Sequence, residues 1–185
     1  MGDAMIRPEF RKLLSDQRGA AVILWSCFMI AIVLYIVIAR NVLGNPKFAR
    51  GFSQAEIVRI GLWILVLVDF GYYVYWKNRY LSSGAVLAEA QSTKLLRALE
   101  GHQGAMEKRA AAVVSTYVTR KTVLFAIIEA IAVYGLVLGL AGPYPSDLYL
   151  LSVVSWLLLS LEFPSEKSLE GLLHKVEGAE TAPAG

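Results

Sequence analysis

Residues Val123–Leu140 read VLFAIIEAIAVYGLVLGL, an apolar run with a single carboxylic acid, Glu129, inside it. A helix of about 20 apolar residues crosses the ~30 Å hydrocarbon layer of a membrane. Counted from Thr122 to Leu140, this run is close to that length, and Ala20–Ala39 and Ile57–Trp76 match it. A fourth run, Leu148–Phe163, is shorter; it borrows neighbouring residues to cross, or it is a buried core helix. The pattern predicts an all-α polytopic membrane protein with transmembrane helices over about 20–39, 57–76, 122–140 and 148–163. The chain reads as a single integral-membrane domain over 1–185.

Composition agrees. Of 185 residues, 56% are hydrophobic and only 18% charged, and the mean hydropathy is +0.52, above the range of an ordinary soluble domain. The first run is too long for a signal-peptide core and ends in Arg40-Asn41, so it reads as a retained helix. Cys27 lies within it, alone, and supplies neither a disulfide framework nor a metal site. The net charge of +3 is no nucleic-acid signal, because the basic residues flank the spans. Of 18 Lys and Arg, all but Arg40, Lys47, Arg50 and Arg59 fall in the N-terminal segment, the middle connection or the C-terminal tail. The positive-inside rule then places both termini and the 78–121 connection in the cytoplasm, in a bacterial inner (plasma) membrane.

Outside the spans the chain remains helix-forming. Pro8 stands at a first helical position before Phe10, Leu13 and Leu14, which reads as a short interfacial helix or a frayed polar tail. The 78–121 connection is rich in helix formers and interrupted at EGHQG, so two cytoplasmic helices are predicted, the second continuing into span three. Ser53 and Glu56 form a capping box for span two, and Ser146 or Asp147 is placed to cap span four. Leu169, Leu172, Leu173 and Val176 make an apolar stripe on a surface-lying helix beginning near Ser165. Trp76, Tyr80, Tyr144 and Tyr149 sit where aromatic rings anchor helices to headgroups. His102 and His174 both lie outside the spans, which removes the usual ligand of a membrane-embedded haem. Tyr35 of span one aligns with Tyr134 of span three, a register that would suit two duplicated hairpins.

An ionised carboxylate at mid-membrane depth costs at least ~2.5–3.5 kcal/mol, so Glu129 needs a partner, a proton or a purpose. Ala132, Gly135 and Gly139 lie on the same broad side, and Gly135-x-x-x-Gly139 permits close helix approach. Glu129 is therefore expected to face protein, for structural hydrogen bonding, for ion translocation, or for contact with a cofactor or lipid. Asp69 is the secondary intramembrane acid, with hydroxyls of its tyrosine-rich surroundings or an interfacial base as expected partners.

The stretch FAIIEAIAVYGLVLGL, Phe125–Leu140, resembles the ion-carrying helix of the rotor-ring proteolipid, subunit c, of rotary ATP synthases. The resemblance puts Glu129 on that family's ion-binding carboxylate, with Ala130, Ala132, Tyr134 and Gly135 as its neighbours. It implies a proton- or sodium-binding acid at a helix interface in an oligomeric ring. Span two departs from the family's glycine-dense partner helix, having Gly61 and Gly71 beside Trp63, Tyr72 and Tyr73, and the middle connection replaces a short polar loop. The chain thus reads as a divergent relative whose resemblance is limited to the third transmembrane helix.

No phosphate-binding glycine loop, HExxH, paired-cysteine pattern or activated nucleophile is present in the sequence. The reading is a non-catalytic structural or accessory subunit of a larger membrane complex, packing through its transmembrane helices. The alternative is a proteolipid-like proton- or sodium-translocating subunit using Glu129. No catalytic residue, metal or cofactor is predicted. The partners are other membrane subunits or copies of the same chain, together with membrane lipids, some of them bound, and no nucleic acid.

Overall fold

The computed structural model describes residues 8–43, 54–88, 105–142 and 144–181, with side chains over 18–42, 54–88, 107–142 and 144–178. Its elements are α1 (Pro8–Leu43), α2 (Ala55–Tyr80), α3 (Ser83–Ala88), α4 (Ala105–Ala141), α5 (Pro145–Leu161) and α6 (Glu166–Thr181). Among the described residues the fold is all-α. Three helices are long and apolar enough to cross a membrane, or four if α5 and α6 count as one bent span. Those three contain the first three apolar runs. The capping box at Ser53, the break around His102, and the side chains of Phe10, Leu13 and Leu14 lie outside the described residues.

Two of the helices extend by more than ten residues beyond their apolar runs. Pro8 is the first residue of α1, whose 36 residues make the N-terminal segment and span one a single helix. α4 has 37 residues and joins the second predicted connection helix to span three without a break. Neither Gly nor Pro occurs between Ala105 and Tyr134, so nothing in that stretch interrupts the hydrogen-bond ladder.

The described residues pack as two compact units. One takes the N-terminal part of α1, α3, the first half of α4 and α6. Its core is Val86 with Ala110–Val114 of α4 and Leu169, Leu172, Leu173 and Val176 of α6. Five consecutive residues of α4 are buried here, which happens only where a helix is covered on every side. The sequence predicts a surface-lying helix here, but the apolar stripe of α6 is seated on protein, against Val86 and Ala110–Val114. Arg18 closes this unit by donating Nε to the Pro164 carbonyl (3.2 Å) and pairing with Glu166. Arg120 donates to the Tyr80 carbonyl at 2.8 Å.

The second unit takes Leu24–Trp76 and Val123–Phe163. Its core includes Val66 of α2, Ile131 and Leu138 of α4 and Leu151 of α5, with Leu62, Trp63, Tyr134 and Leu158 against them. α4 is the central helix: 44% of its apolar window is buried, against 11% for α1 and for α2. The start of α5 corrects one expectation. Its N-cap is Tyr144, with no side-chain cap, because Pro145 supplies the first helical position; Ser146 and Asp147 therefore fall inside the helix.

Candidate functional site

Three faces of α4 meet three neighbours, and the sequence spacing accounts for this. At about 100° per residue, Tyr134 lies about 140° around the helix from Glu129, and Gly135 and Gly139 about 240° and 280°. On the Glu129 face, Tyr35 of α1 donates its hydroxyl to Glu129 Oε1 at 2.5 Å, and Phe125 packs on Phe28 with ring centroids 6.1 Å apart. On the Tyr134 face, that hydroxyl donates to Asp69 Oδ2 of α2 at 2.8 Å. On the glycine face α5 comes close. A Cβ on Gly135 would stand 3.0 Å from Leu151 Cβ and 3.3 Å from the Leu148 carbonyl oxygen, and one on Gly139 would stand 3.2 Å from Leu148 Cβ. The Ser155 hydroxyl of α5 donates to the Ile128 carbonyl on this same face. Ala132 is fully buried. Ala130 is half-buried beside the strip of α4 that holds exposed Val123 and Val137.

The stretch Phe125–Leu140 is therefore divided among three helices: its acid goes to α1, its tyrosine to α2 and its glycines to α5. Glu129 and Asp69 do not share a bond, and each is half-buried. Asp69 finds its hydroxyl on α4, although five positions of its own helix nearby, Tyr72, Tyr73, Tyr75, Trp76 and Tyr80, carry aromatic hydroxyls or an indole.

Two more acids, Asp147 and Glu162, bind side chains of α2, and sequence reasoning gave neither its partner. Asp147, read as a cap, is 4% exposed and accepts from Arg59 Nε (2.6 Å) and Nη2 (3.1 Å) and from Trp63 Nε1 (3.4 Å). The Arg59 guanidinium also lies 4.6 Å from the centre of the Tyr144 ring. Glu162, just past α5, accepts the hydroxyl of buried Tyr73 at 2.8 Å. Trp25 of α1 donates Nε1 to the Leu159 carbonyl at 2.7 Å and meets the Phe163 ring edge to face. The sequence did hold one signal for these pairs: each of the four acids is matched by a Tyr or Arg inside another apolar run. What it lacked was the order of neighbours around α4.

Glu129, Asp69 and Glu162 thus each accept from a tyrosine hydroxyl, and Asp147 from an arginine. A phenol is suited to mid-depth because it donates one hydrogen bond without bringing a second charge into a low-dielectric setting. Among the described residues, no group of three or more His, Cys, Asp and Glu side chains is placed to hold a metal ion. Cys27 is exposed. No protein-family model matches the chain, nor does any curated protein or solved structure.

Proposed function

We propose that this chain is an integral membrane protein of a bacterial inner membrane, a non-catalytic structural or accessory subunit that packs through its helices in a larger complex. The observation that carries the reading is the Tyr35–Glu129 bond, which spends the mid-span acid on holding α1 to α4. In hydrocarbon no hydrophobic force draws helices together, so close packing of small residues and interhelical hydrogen bonds must do so. α4 supplies both, through Gly135 and Gly139 on one face and carboxyl–phenol pairs on two others. α1 and α2 leave broad apolar faces uncovered, including Ile23, Ile30, Ile60 and Leu67, a surface suited to lipid and to the helices of partner subunits. The charge asymmetry of the sequence supports cytoplasmic termini.

The alternative, a proteolipid-like subunit that moves protons or sodium ions on Glu129, draws support from the partial exposure of that residue. Glu129→Gln separates the two, because an amide oxygen still accepts from Tyr35 but cannot titrate. For the structural reading, the variant retains complex yield in mild detergent and leaves ion flux in sealed vesicles unchanged. Loss of flux at unchanged yield would overturn it in favour of ion transport.

A further inference from the structure

Near the start of α2, Arg59, Ile60, Trp63, Ile64 and Leu67 line a shallow, open groove of about 350 Å³. The positions follow one face of the helix, and Arg59 to Leu67 spans about 12 Å at 1.5 Å per residue. Arg59, at one end, is the charged member of the five; the indole N–H of Trp63 is turned to Asp147. A cation at one end of an apolar run is complementary to an anionic amphiphile.

The Arg59–Asp147 pair does not cancel that complementarity. The Asp147 side chain is 6% exposed and the Arg59 side chain 43%, so the pair turns its cation outward. Asp147 binds Nε and Nη2, leaving Nη1 outside both bonds. The carboxylate is also shared with the Trp63 N–H and lies in the first turn of α5, where the helix dipole draws on the same negative charge. Glu56, one turn nearer the helix start, is exposed, so solvent and salt screen its opposing field. We propose that the groove holds one acyl chain of an anionic phospholipid, with its phosphate on Arg59 Nη1. This rests on the reading that α2 crosses a membrane.

The test makes Trp63 the reporter. Trp25→Phe, Trp76→Phe and Trp156→Phe leave it the single indole of the full chain, which has four. This protein is reconstituted in vesicles containing phosphatidylglycerol or phosphatidylcholine with brominated chains, and quenching of Trp63 gives the relative association of each lipid. The expected preference for the anionic lipid is about fivefold, the worth of a partly exposed ion pair. It falls to parity in Arg59→Gln/Asp147→Asn, which keeps a neutral hydrogen-bonded pair. Equal quenching by both lipids, or a preference unchanged in the double variant, overturns the lipid site and leaves the membrane reading intact. Absence of quenching by either lipid overturns both.

Discussion

Removing the Tyr35 hydroxyl should loosen α1 from α4 by an amount that depends on Glu129. In Tyr35→Phe the carboxyl loses the donor seen at 2.5 Å. A buried acceptor left unpaired costs about 1–3 kcal/mol. Glu129 is half-buried, so water or a proton recovers part of this, and hydrogen bonds between membrane helices average about 0.6 kcal/mol with a maximum near 1.7. The expected cost is therefore about 1 kcal/mol. Glu129→Leu removes the acceptor instead, and in that background Tyr35→Phe should be nearly neutral, since no carboxyl remains to be stranded. The assay is reversible unfolding in mixed micelles, followed by far-UV circular dichroism for the parent, both single variants and the double variant. A coupling energy within about 0.3 kcal/mol of zero would refute the claim that this bond holds the two helices together.

Gly135→Ala should destabilise by about 1–2 kcal/mol in the same assay, because its Cβ meets Leu151 Cβ and the Leu148 backbone, neither of which can swing away. Gly139→Ala should cost less, since it meets the Leu148 side chain and gains helix propensity. Asp147→Ala removes the acceptor of Arg59 and Trp63 and should cost about 1–3 kcal/mol, at the lower end because Arg59 is partly exposed; Asp147→Asn should recover most of it. Leu173→Ala empties a buried position between α6 and α4 and should cost about 2–4 kcal/mol. Limited proteolysis should then cut within α6 before any other described helix, with the fragments identified by mass spectrometry.

Length and hydropathy made the long helices readable from the sequence, and i, i+4 spacing made Gly135 and Gly139 readable as a close-approach face. The α6 stripe was readable as a stripe, though not its cover, because Ala110–Val114 is an unbroken run of small apolar residues with no period that marks a partner. The sequence could say that Glu129 needed a donor but not which. Tyr35 and Tyr134 stand in equivalent settings, and only the placement of α1 and α2 around α4 assigns one phenol to Glu129 and the other to Asp69. Asp147 misled because a cap and an ion-pair partner look alike two residues after a proline. The register of α5 decides between them.

The carboxyl–phenol pairs also set an order for biosynthesis in the proposed membrane setting. Synthesis runs from the N-terminus, so Tyr35 is already inside the bilayer when Glu129 emerges 94 residues later, and that acid meets a waiting donor. Asp69 has the opposite history: its donor, Tyr134, follows it by 65 residues. During that interval the second helix carries an acid whose partner has yet to be made.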